Sequence, residues 1–119
     1  MRDHRKLRAF ELADSLVLSV YSASRSFPRE EQFGVTSQLR RSALSVASNI
    51  VEGCARASQP DYIRFLDTAL GSARELEYQL SLAARLEFLP PDTATELARH
   101  ADETARVLAG LLRSLRSEA

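Results

Sequence analysis

An apolar residue recurs at every third or fourth position along most of this chain, and that spacing restricts the fold more than any other feature. The clearest run is Tyr62, Leu66, Ala69, Ala73, Leu76, Leu80 and Ala83. Residues three and four apart stack on one face of an α-helix, so this run draws an apolar stripe down one side of a long helix. An all-β chain needs a turn about every 8 to 12 residues, and four Gly and four Pro in 119 residues are too few for that.

The stripe is interrupted in a few places, and each interruption has a chemical cause. Ala9, Ala13, Leu16, Val20 and Ala23 predict a first helix over about residues 7–26, its face widened by Leu12, Val17 and Tyr21. It stops at Phe27-Pro28, because proline disfavours the helical region for the residue before it. Val35, Leu39, Ala43, Val46 and Ile50, with Cys54 in line, predict a second helix over about residues 30–52, ended by Gly53 and a polar turn to Gln59. Ser58-Gln59-Pro60-Asp61 has the form of a capping box with proline in the first turn, and opens a third helix over about residues 59–87. Leu89-Pro90-Pro91-Asp92 breaks that helix, and Thr93-x-x-Glu96 offers a second capping box for a fourth over about residues 92–116. Its face is Ala94, Leu97, Ala101, Ala105, Leu108, Leu112 and Leu115. Short connections place successive helices antiparallel, so the expected fold is all-α, a single-domain up-down-up-down four-helix bundle.

Sixteen basic and sixteen acidic residues cancel to a net charge of zero. A surface built wholly to neutralise phosphate needs an excess of Lys and Arg, so the total argues against that class. The cancellation is uneven along the chain. Residues 1–59 hold nine basic and six acidic side chains, and residues 60–119 hold seven and ten. Arg2, Arg5, Lys6 and Arg8, offset by Asp3, form a basic arm whose contacts would be nucleic-acid phosphates, or else a solvated, frayed terminus. The single Cys54 cannot close a disulfide within the chain and suits a reducing cytoplasm. No apolar run approaches the roughly 18 residues of a membrane span, and none follows the basic start as a secretory signal requires.

The second helix carries a polar face that needs an explanation. At about 100° per residue, Gln38, Arg41, Ser45, Ser48, Asn49, Glu52 and Arg56 gather opposite its apolar stripe. Ser and Asn are poor helix formers because their side chains compete for backbone hydrogen bonds. Their use here points to close approach by another helix or to a hydrogen-bonding surface. Pairing about the turn near Arg56 sets Asn49 opposite Arg64, Ser45 near Thr68, and Arg41 near Ser72 and Glu75. Arg41 with Glu75, and Glu52 with Arg56, are the expected ion pairs.

Enzymatic chemistry finds little footing, and no cofactor is implied. His4 and His100 lie in different segments without a metal-ligating partner at the right spacing, and no Glu-x-x-His pair suggests a di-iron bundle. His100 reads as a surface residue and Cys54 as packing. Glu75 and Glu77 point about 200° apart on one helix, too far to act as a carboxylate pair. A Gly-rich phosphate loop is absent. Tyr62, Tyr78, Phe65 and Phe88 read as core or interface.

The stretch QLRRSALSVASNIVEG over residues 38–53, followed by Arg56, resembles the signature of a small bacterial four-helix bundle family. That family is known from open reading frames inside intervening sequences of 23S ribosomal RNA genes. Phe27-Pro28 with Glu31, Phe33-Gly34, Phe65-Leu66, Ala69-Leu70-Gly71-Ser72, and Glu75-Leu76-Glu77 with Gln79-Leu80 carry the likeness from the first helix to the end of the third. The resemblance implies homopentameric rings and, for most members, no established activity. A related branch, the accessory variability proteins of diversity-generating retroelements, uses a basic surface to bind nucleic acid and a partner reverse transcriptase. Carried over, a ring gives Gln38, Arg41, Ser45, Asn49, Glu52, Arg56, Ser72 and Glu75 a place at interhelix or subunit contacts. Two departures stand out: many relatives have Pro where Ala47 stands, and this chain lacks the basic excess of the retroelement branch. The expected role is a non-enzymatic, self-associating scaffold or accessory factor; the alternative is nucleic-acid binding beside a reverse transcriptase or ribonucleoprotein.

Overall fold

The computed structural model describes residues 2–118. Four helices dominate: α1 (Arg8–Ser24), α2 (Val35–Cys54), α3 (Gln59–Arg85) and α4 (Pro91–Ser117). Short 3-10 turns at His4–Lys6 and Arg29–Glu31 precede α1 and α2, and no strand occurs among the described residues. A helix rises about 1.5 Å per residue, so α3 and α4 are each roughly 40 Å long. The molecule measures 45 × 22 × 19 Å, so the long helices run its length. Each helix packs on its neighbour in sequence and α1 packs on α4, while the backbones of the diagonal pairs α1 with α3 and α2 with α4 do not approach.

The ends differ from the sequence expectation where local hydrogen bonds outcompete the helix. The second helix does not begin near residue 30. The chain makes a 3-10 turn at Arg29–Glu31, and the Glu31 carboxylate then accepts the Val35 amide at 3.2 Å, which caps α2 from outside. At Gly34 a Cβ would lie 2.6 Å from that carboxylate oxygen, so glycine makes room for the cap. Ser58 caps α3 as the motif requires, accepting from the Asp61 amide at 3.2 Å. The Thr93-x-x-Glu96 motif does not act as a cap: α4 starts at Pro91, behind Pro90, with no side-chain cap. Proline at the first turn needs no donor, so the helix gains one residue over the expected start. At the far end of α3, Phe88 N donates to Ala83 O and Glu87 N to Ala84 O, the paired bonds of a Schellman turn. Glu87 occupies its left-handed position with φ 65.

The apolar stripes meet along the centre in two connected regions. Ala9, Ala13, Ile50, Cys54, Tyr62, Leu66 and Leu112 fill one end. Leu16, Val20, Leu39, Leu76, Leu80, Leu89 and Leu97 fill the other, where the rings of Phe27 and Phe88 lie 5.6 Å apart. Ala47 lies within an unbroken α2.

Candidate functional site

The polar face of α2 divides in two. Ser42, Ser45 and Asn49 turn toward α3, while Gln38, Arg41, Ser48 and Glu52 are exposed. On the inner half, Ser45 and Ser72 share a hydrogen bond of 2.8 Å, and the buried Ser42 hydroxyl donates to Glu75 Oε1 at 3.3 Å. Asn49 Nδ2 donates to Ser45 O at 2.8 Å and to Ser45 Oγ at 3.0 Å, turning back along its own helix instead of meeting Arg64. Thr68 likewise donates to Arg64 O, so Ser45 meets Ser72 in its place. No ion pair joins Arg41 to Glu75 among the described residues. One residue is a 100° step on a helix, and that step aims Ser42 at α3 and Arg41 at solvent. Arg56 pairs with Glu52 at 2.7 Å and lies over the Phe65 ring, which Arg64 also approaches.

Partner numbers fall along α3 as they rise along α2, from Ser42 with Glu75 to Ser45 with Ser72. The same holds between α1 and α4, where Arg8 meets Glu103 and Leu12 meets His100.

The basic arm is held against the bundle. Arg2 donates to Arg56 O at 3.0 Å and to Gln59 Oε1 at 3.4 Å, with its guanidinium 4.0 Å above the Tyr62 ring. It thereby satisfies a carbonyl freed at the end of α2. Arg5 pairs with Asp3 and holds that carboxyl below its ordinary range. Arg8 pairs with Glu103 at 3.3 Å, and Lys6 is exposed. His4 stacks edge-on against Phe10. Beneath the arm lie Cys54 and Tyr62, both buried. Burial pushes the Cys54 thiol up and the Tyr62 hydroxyl up to about 12.

His100 is not the surface residue the sequence pointed to. It is half-buried between α1 and α4, its Nε2 3.0 Å from Leu12 O, which fixes Nε2 as the donor. Thr104, fully buried, donates to His100 O at 2.8 Å. The spacing of Thr104 within Leu97, Ala101 and Leu108 was the available clue, masked because a hydroxyl does not score as core. Beside His100 an open groove of about 880 Å³ runs between α1 and α4, with Leu12, Leu18, Ser22, Asp92 and Glu96 among its lining. No cluster of three His, Cys, Asp or Glu able to hold a metal occurs among the described residues, and no helix is long and apolar enough to cross a membrane.

The sequence model for 23S rRNA-intervening sequence proteins matches residues 5–110, most of the chain. The chain belongs to the 23S rRNA-intervening sequence protein family. Its fold is also that of a crystal structure from Bacteroides thetaiotaomicron, a protein of unknown function from the S23 ribosomal protein family. The two superpose with a TM-score of 0.82 at 24% identity, over 88% of this chain and 95% of that one. No curated protein matches the sequence. In this chain the stretch 38–53 supplies both the small polar contacts to α3 and the exposed outer face of α2.

Proposed function

We propose that this 23S rRNA-intervening sequence protein is a non-enzymatic scaffold or accessory factor of the cytoplasm, an up-down-up-down bundle that associates with itself, in the ring of five that the family resemblance implies. The falling partner numbers between α2 and α3 and between α1 and α4 support the antiparallel reading. The observation that carries self-association is a set of large apolar side chains left in solvent on two adjacent helices. Leu18 and Tyr21 on α1 are 67% and 38% exposed, and Leu44 and Val51 on α2 are 49% and 37% exposed. Scattered single exposures are ordinary, but Leu18 with Tyr21, three apart, and Leu44 with Val51, seven apart, each share one face of their helix, and such patches mark interaction surfaces. Gln38, Arg41, Ser48 and Glu52 border the α2 patch. Light scattering on the purified chain tests the reading: a mass near five chains is expected, and a clean monomer at micromolar concentration overturns it.

A second reading, nucleic-acid binding, draws on one end of the bundle. There Lys6 is exposed and Arg2, Arg5 and Arg8 share the surface with Arg56 and Arg64. Salt-sensitive binding of RNA or DNA, weakened by joint replacement of Arg5, Lys6 and Arg8 with Ala, is the expected result. Absence of binding at low salt overturns it.

A further inference from the structure

Two faces of this bundle match each other in length, chemistry and charge. Between Gln32 and Val51 the sequence has no acidic residue, and its only charges are Arg40 and Arg41. Arg40 turns inward, donating to Ser24 Oγ at 2.8 Å. Arg41, Leu44, Ser48 and Val51 are exposed at spacings of three and four, one outward face roughly 15 Å long. The α1–α4 groove has the opposite character. Its lining includes Asp92, Glu96 and Glu103 against Arg99 and His100, and Leu18 stands exposed within it. Glu96 pairs with Arg99 and Glu103 with Arg8, while Asp92 has no ion pair among the described residues. From Asp92 to Glu103 the groove extends along α4 for roughly 16 Å.

We propose that the outward face of α2 in one copy docks into the α1–α4 groove of the next copy. This rests on the self-association reading and adds which surfaces meet. A second copy is the occupant because both halves of the complementary pair are present on one chain, and because a net charge of zero leaves no overall repulsion between copies. Arg41 approaches Asp92, Leu44 covers Leu18, and Val51 lies toward the Glu103 end of the groove. The two faces lie on different sides of the bundle, since the backbones of α2 and α4 do not approach and α1 packs between them. Each pairing therefore leaves one face of each kind free, and head-to-tail addition continues until a ring closes.

Cross-linking distinguishes this arrangement from the alternatives. Ser48 lies seven residues from Arg41 as Arg99 lies seven from Asp92, so Ser48→Cys and Arg99→Cys chains, one enlarged by a tag, are unfolded together, refolded and treated with a short bis-maleimide. The buried Cys54 of the unaltered chain serves as the blank. Mixed dimers joining Ser48→Cys to Arg99→Cys are expected, in at least tenfold excess over Ser48→Cys pairs. An oligomer that cross-links only Ser48→Cys to itself, or not at all, overturns this pairing and leaves self-association standing. A monomer by light scattering overturns both. As a second measurement, Arg41→Glu is expected to reduce the oligomer to smaller species while Arg41→Lys preserves it; an unchanged mass for Arg41→Glu, with an unchanged far-UV spectrum, also overturns the pairing.

Discussion

Two seams of the bundle are built by opposite means. Between α2 and α3 small residues sit at the points of close approach: Ser42, Ser45, Gly53 and Ser72. A Cβ added at Gly53 would lie 3.0 Å from Phe65 Cβ, so the backbones are as close as the neighbouring side chains permit. Between α1 and α4, His100 reaches across to Leu12 O and an open groove remains beside it. The first seam is specified by steric fit, with Ser45 and Ser72 bonded to each other and Ser42 to Glu75, while Thr36 Oγ1 on α2 and Gln79 Oε1 on α3 are buried without a partner. The second is bridged by the His100 ring and the Arg8–Glu103 ion pair and leaves surface available to a partner. Fit makes a seam intolerant of added volume, whereas bridging makes it tolerant of volume and sensitive to loss of the bridge.

Substitutions can break that contrast. Gly53→Val should cause the largest loss, about 3 kcal/mol, because the branched side chain meets Phe65 and Tyr62 without room to shift; urea unfolding measures it, and a loss below about 1 kcal/mol would mean the seam is looser than described. Ser45→Val should cost about 2 kcal/mol, since it adds volume and leaves Ser72 without its partner. Ser22→Val in the groove should stay within about 0.5 kcal/mol. Equal effects of these two changes would remove the distinction between the seams.

The elbow of the tight seam also predicts a pH dependence. Tyr62 ionises near 10 when unfolded and is raised to about 12 in the fold, so the folded state holds its proton more tightly. Its contribution is intact below pH 10 and is lost as pH rises toward about 12, a total of about 3 kcal/mol. The Cys54 thiol, also raised by burial, acts in the same direction from about pH 9. Unfolding midpoints between pH 9 and 12 should fall less steeply for Tyr62→Phe than for the unaltered chain; parallel curves would show that Tyr62 titrates as if exposed. At the bridge, His100→Ala should cost about 1 kcal/mol, the net worth of one hydrogen bond, as read by the thermal midpoint. No change in thermal midpoint would leave the α1–α4 spacing unexplained.

The apolar skeleton was legible because period alone determines it. All seven α3 residues read as one stripe, from Tyr62 to Ala83, are the buried ones. Polar residues that enter the interior were not legible. Ser24 and Thr104 are buried by returning their hydroxyls to Tyr21 O and His100 O on their own helices, and Ser42 by reaching Glu75. Their side chains satisfy themselves locally or across one seam, and nothing in a hydropathy pattern records such a bond. In the candidate site, the Glu52 with Arg56 pair is an i, i+4 relation that sequence displays directly. The expected pair of Arg41 with Glu75 does not form, because facing between two helices is sensitive to a single residue of rotation and Ser42 takes that place. Arg2 was legible as part of a basic arm, but its contacts to Arg56 O and Gln59 were not, because those partners are remote in sequence.

The bond from His100 to Leu12 spans 88 positions, whereas Ser45 and Ser72 are 27 apart. Closing a long loop takes more chain entropy than closing a short one, so the α2–α3 hairpin assembles early and the α1–α4 contact last. The order reverses when the native molecule breathes. Backbone amides of α1 and α4 beside the groove will exchange with solvent deuterium sooner than those of α2 and α3, which makes the groove both the last joint to close in folding and the first to open afterwards.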